Sequence, residues 1–153
     1  MGGAQGVMKM NVTVEQGNRV VGHGDDGWRV VVWLEAGCEP PQVHVLVQGR
    51  TACPATAQKL QSSSIDLALP LTTAGAHICV GQARIDAGEV PYVPLYSVPR
   101  HQHMQVHELI WQTFRRWVLH HADALEGHLL SGTEPSEPGV LSERWLGLEG
   151  EAA

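Results

Sequence analysis

A chain of 153 residues, 43% hydrophobic and 17% charged, is long enough for one domain around one core and has the balance of an ordinary globular protein. Its formal net charge is −6, with Lys9 and Lys59 as the only lysines and the arginines scattered. That excludes the clustered cations on which phosphate backbones and anionic membrane surfaces depend. The charge is also unevenly placed. Residues 1–122 balance, whereas 123–153 set Asp123, Glu126, Glu134, Glu137, Glu143, Glu149 and Glu151 against Arg144 alone.

Residues 1–9 read as a flexible leader. "MGGAQGVMKM" lacks the apolar run of a signal peptide, and Gly6 stands where a myristoylation motif needs Ser or Thr. No apolar stretch reaches the roughly 18 residues of a membrane span. Cys38, Cys53 and Cys79 are widely spaced with no C-x-x-C, an odd count that points to buried free thiols in a reducing compartment. A cytoplasmic protein is expected.

"NVTVEQ" alternates valine with polar residues and predicts a strand, and "GHGDDG" (22–27) predicts a turn. "WRVVVWLE" (28–35) places Trp28, Val30, Val32 and Leu34 on one face and Arg29, Val31 and Trp33 on the other, a central strand covered on both sides. "AGCEPP" turns the chain into "QVHVLVQG" (42–49), which alternates again and completes an antiparallel hairpin. Residues 50–64 read as a loop or one short helix. "SIDLALPL" (64–71) and "AHICVGQARI" (76–85) read as strands. Pro91, Pro94 and Pro99 make 86–100 an extended edge segment. From Met104 the apolar period becomes helical, and "SGTEPSEPG" (131–139) ends it. The expected fold is one α+β domain over 1–153. It has an antiparallel sheet of about five or six strands, one long C-terminal amphipathic helix over 104–130 packed on it, and an acidic Gly- and Pro-containing tail over 131–153.

Six of the nine histidines fall in 100–128. On a helical wheel Glu108, Gln112, Arg115, Arg116, Asp123 and Glu126 make a polar sector. Ile110, Phe114, Trp117, Val118 and Leu125 lie opposite, together with His107, His121 and His128. His103 and His107 have the i, i+4 spacing of a chelating pair. However, the acid follows the second histidine, unlike H-E-x-x-H, and His121 lies about 21 Å further along a helix. No third ligand is local, and no cofactor is implied. For catalysis there is no G-x-S-x-G, and His23 with Asp25 or Asp26 is more plainly part of a turn. The remaining readings of the stripe are packing within one chain or an interface between subunits. The interface reading names His107, Ile110, Trp111, Phe114, Trp117 and His121.

With "GDDGWRVVVWL", "VHVLVQGR" and the late Trp/His helix, most of the chain resembles the small RsaM-type quorum-sensing modulators of Gram-negative bacteria. The resemblance implies a dimeric, non-enzymatic regulator that tunes acyl-homoserine-lactone signalling without a DNA-binding motif. It carries over no catalytic residues. The expectation is a homodimeric regulatory protein acting through protein contacts, with no direct nucleic-acid or membrane partner. Two alternatives stand beside it: a small metal-dependent enzyme or metal-binding protein using His103 and His107, with His101 or His23 as further ligands, and a small-ligand binder.

Overall fold

The computed structural model describes residues 10–53, 56–75 and 77–125, with side chains except at Asp26 and 50–63. The leader, the last residues of the expected helix and the acidic tail lie outside the described residues. Among the described residues the fold is α+β: seven antiparallel strands in the order β1 to β7, followed by one helix. The strands are β1 (Asn11–Glu15), β2 (Arg19–His23), β3 (Arg29–Glu35), β4 (Gln42–Cys53), β5 (Thr56–Ala74), β6 (His77–Val80) and β7 (Ala83–Arg84). The helix α1 spans His103–His120. Each strand pairs with its neighbour in sequence, so the sheet is a meander.

The strand count exceeds the expected five or six for identifiable reasons. "RVVGH" is too short to show a period, but β2 is clamped between β1 and β3, with Val20 opposite Val32 and Gly22 opposite Val30. Residues 50–53 and 56–64, expected within a loop or one short helix, are strand: β4 runs on to Cys53 and β5 begins at Thr56. Polar "QSSS" carries no alternation signal, yet backbone pairing with β4 needs none, and Ser62–Ser64 pair with Arg50–Gln48. "AHICVGQARI" divides at Gly81 (φ +60°) into β6 and β7.

The register places Val20, Val30, Val32, Val43, Val45, Val47 and Ile65 on one face of the sheet, and all of them are buried. Against this face α1 sets Val106, Leu109, Ile110, Phe114, Trp117 and Val118. Two glycines make room for large partners. Any Cβ on Gly49 would overlap the Trp28 indole, so Trp28 lies over bare backbone. A Cβ on Gly22 would collide with Thr113 Oγ1 and stand 3.1 Å from Leu109 Cδ1, so α1 approaches β2 more closely than any side chain there allows. Thr113 spends its hydroxyl on the Leu109 carbonyl at 2.7 Å.

Residues 88–99 alternate as an edge strand does, with Pro91, Val93 and Leu95 buried and Tyr92 and Tyr96 exposed. They do not pair into the sheet. Proline has no N–H to give, and the segment crosses to α1 while closing the core with Val93, Leu95 and Val98. The free thiols also divide: Cys79 is buried as expected, but Cys38 is exposed in the β3–β4 turn.

Gly22→Ala is expected to destabilise the fold by about 1–3 kcal/mol, the range for overpacking a tight contact. Adding Thr113→Ala should return part of that loss in a urea-unfolding double-mutant cycle. Strict additivity of the two changes would show that α1 does not rest on Gly22.

Candidate functional site

The proline-containing segment and α1 do not close completely on one another. Between them lies a groove of about 310 Å³, lined by Val90, Pro91, Tyr92, Val93, His107, Ile110 and Trp111. The prolines fix an extended backbone that turns Pro91 and Val93 inward and leaves Tyr92 on the rim. Helical spacing places Met104, His107 and Trp111 along one stripe beside it. Among the described residues the exposed large hydrophobic side chains are Tyr92 (78%), Tyr96 (84%) and Met104 (84%). All three belong to this segment or to the start of α1.

The residues expected to form an interface separate here. Ile110, Phe114 and Trp117 are 3%, 1% and 0% exposed, sealed between α1 and the sheet of the same chain. Phe114 and Trp117 stack at 5.3 Å within that core. A partner has no access to them except along the Ile110 wall of the groove. The sheet covers the helix face centred on Val106, Thr113 and Trp117, and it does not extend to the groove side. His107 is therefore exposed, not buried with the apolar stripe, and Trp111 is half-buried. His121 lies half-buried at the far end of α1.

The histidines expected as a chelating pair stand edge-to-face, and one of them is already engaged. His103 Nε2–H donates to the Val98 carbonyl at 2.8 Å, which ties the start of α1 to the preceding segment and removes that nitrogen as a ligand. Its ring stands perpendicular to that of His107, with centroids 6.4 Å apart. His101 and His23 are exposed, His23 at the end of β2, and "GHGDDG" forms the expected turn, with Gly24 N–H bonded to the Trp28 carbonyl at 2.9 Å. No group of three or more His, Cys, Asp or Glu among the described residues is arranged to hold a metal ion.

Two further polar clusters lie away from the groove. On the open face of the sheet, Trp33 stacks on His44 of the paired strand, centroids 4.7 Å apart and planes 3° from parallel. The Arg19 guanidinium carbon lies 4.9 Å from the Trp33 ring, and Glu35 holds His44 at 2.8 Å. Because β2 and β4 flank β3 on opposite sides, Arg19 and His44 take opposite faces of the indole. That leaves no π-face for a nucleobase to stack on. Near the other edge, His77 Nδ1 lies 2.9 Å from Oδ2 of Asp86, a carboxylate 7% exposed that joins the turn after β7 to β6. Among the described residues its other oxygen has no partner. The pair meets the requirement that a buried carboxylate be hydrogen-bonded.

Compared with family models, with curated proteins and with solved structures, the chain matches none. Among the described residues no helix is long and apolar enough to cross a membrane.

Tyr92 and Tyr96 were not singled out by sequence reasoning, although "PYVPLYSVP" carried the signal: a period of two with prolines inside it and aromatics on the outer positions. The Trp33–His44 contact was legible once the register of the two strands was drawn.

Two measurements check this description. Dialysed protein is expected to retain well under one equivalent of zinc, nickel or iron by elemental analysis, since a closed zinc site takes about four ligands. A full equivalent that disappears in His107→Ala would restore the metal reading. His44→Ala should lower stability by about 0.5–1.5 kcal/mol in urea unfolding, from the lost cross-strand stack and hydrogen bond. No change would mean that the open face is not held by this stack.

Proposed function

We propose that this protein is a non-enzymatic regulator that works through contacts with other protein chains, and that it pairs with a second copy of itself through the groove face. The observation that carries the reading is the concentration of Tyr92, Tyr96 and Met104 beside the groove at Val90–Val93 and Trp111. Exposed apolar patches mark contact sites. A twofold interface needs projections and a hollow on the same surface, so that each subunit fills the other. Tyr92 and Met104 supply projections, and the groove supplies the hollow. Aromatic anchors seated in pockets contribute most of the affinity in such contacts. The resemblance to RsaM-type modulators supports the same reading and supplies a pathway, the tuning of acyl-homoserine-lactone signalling. Regulation then acts through protein contacts, with a reducing intracellular compartment as its setting.

A small apolar ligand is the second reading. The groove volume favours it, because pockets for small molecules begin at about 300 Å³.

Sedimentation velocity across the micromolar range tests the first reading. The wild-type chain should sediment as a dimer, and Tyr92→Ser with Met104→Ser should weaken association at least about tenfold, the effect of losing one anchor worth roughly 1.4 kcal/mol. These side chains are exposed, so the variants should melt as the wild type does. A monomer at every concentration would remove the self-association reading. Saturable quenching of tryptophan fluorescence by an acyl-chain amphiphile, lost in Trp111→Ala and without a change in mass, would establish the ligand reading instead.

A further inference from the structure

On β6, Ile78 and Val80 face the core, so His77 and Cys79 alternate onto the face turned away from it. Arg84 of β7 pairs with Cys79, which makes it the diagonal neighbour of His77 on that face, within reach of a long side chain. Arg84 is exposed, and its backbone N–H donates to Glu89 Oε1 at 2.9 Å. The chain then turns through Ile85–Ala87 and brings Asp86 back to His77.

An ionised carboxylate only accepts hydrogen bonds, so in the 2.9 Å contact the hydrogen sits on Nδ1 and the lone pair of the neutral ring on Nε2. The Asp86 side chain is 10% exposed and that of His77 44%. The ring therefore turns Nδ1 inward and its other edge, with the Nε2 lone pair, outward. That is the arrangement of a nucleophilic histidine. When Nε2 forms a bond, positive charge develops on the ring. A carboxylate already bonded to Nδ1–H stabilises that charge without moving. The other described histidines are placed differently. Glu35 holds His44 through Nε2, and His103 spends Nε2 on the Val98 carbonyl. His23, His101, His107 and His120 are exposed, and among the described residues no buried carboxylate orients them.

We propose that His77 is a phosphoryl acceptor for donors of the phosphoramidate class, with Asp86 as its positioning residue and Arg84 as the cation that draws the donor in. Nε2 gives its lone pair to phosphorus. The P–N bond of the donor breaks, and the donor nitrogen, already protonated, leaves with that electron pair as ammonia or an amine. The product is an Nε2-phosphohistidine. Its ring keeps Nδ1–H and carries a positive charge against the Asp86 carboxylate, so no proton has to leave the site. The Arg84 guanidinium offers a fork of N–H donors to the phosphoryl oxygens. This face of β6 is separate from the groove, and the step does not depend on how copies of the chain pair.

The test treats the full chain with potassium phosphoramidate at about pH 8, where ordinary imidazoles are neutral, and maps the adducts by mass spectrometry without acid. His77 should react at least about tenfold faster than His23, His101, His107 or His120, the order set by one charge-assisted hydrogen bond that strengthens in the transition state. Asp86→Asn keeps an acceptor for Nδ1–H and removes the charge, so it should abolish that advantage. Arg84→Gln should slow phosphorylation and leave acylation of His77 by diethyl pyrocarbonate, an uncharged reagent, unchanged. That split separates attraction of an anion from a merely structural effect. NMR of the imidazole nitrogens in the untreated chain should show neutral His77 as the Nδ1–H tautomer. Phosphoryl groups spread evenly over the exposed histidines, an unmodified His77, an Nε2–H tautomer, or an Asp86→Asn chain that reacts as the wild type does would overturn the proposal. Equal effects of Arg84→Gln on both reagents would overturn the part given to Arg84. Should Asp86→Asn fail to fold, the wild-type adduct map and tautomer decide.

Discussion

Valine is short, and a sheet face built of valines presents a low surface. A helix can seal such a surface against water only by coming close to it. Here the approach is set at one position. Gly22 has no side chain, and the space a Cβ would take belongs to Thr113 and Leu109 of α1. Val20, Val30, Val32 and Val45 then meet Leu109, Phe114 and Trp117 without a gap, and all seven are buried. A larger residue at 22 would hold the helix off and leave voids along β2 and β3. The dependence runs outward from there. The position of α1 decides how far Trp111 and His107 stand from Val90–Val93, and so how wide the groove is.

The two faces of the sheet are held by different means. The inner face relies on apolar burial, which is non-directional and tolerates irregular geometry. The open face carries directional contacts in register: Arg29 with Gln48 at 3.1 Å, and Arg19, Trp33, His44 and Glu35 in one line. Val21 and Val31 lie on this second face and are still 0% and 2% exposed. A one-residue slip between β3 and β4 would set His44, Leu46 and Gln48 against the buried valines of β3 and would break every polar contact on the other side, so both faces specify the same register.

How much of this was legible in the sequence follows from where each signal lives. β1, β3 and β4 alternate strongly, and α1 begins within one residue of its expected start, because burial against a single partner writes a period into the chain. β2 and the first half of β5 carry no such period. They are strands because their neighbours offer unpaired backbone groups, which is a tertiary cause. The helical wheel gave the direction of His107 correctly but not its burial, since a wheel cannot say where the opposing sheet stops. The same gap merged the core residues Phe114 and Trp117 with the surface residues His107 and Trp111 in one expected interface. The hydrogen bond from His103 to Val98 lies beyond any spacing rule, because it joins the helix to an irregular segment.

The order of the strands has a consequence for how the chain is made. Every strand pairs with the one synthesised just before it, so each hairpin can close as soon as it leaves the ribosome. The helix is the exception. It lies back on β2 and β3, the early part of the sheet, yet it is the last element of the described fold to be synthesised. Throughout elongation, therefore, the valine face of a nearly finished sheet stands open, with Gly22 as its lowest point and no cover. That face gains its helical cover only when residues 103–120 have emerged and folded down over it.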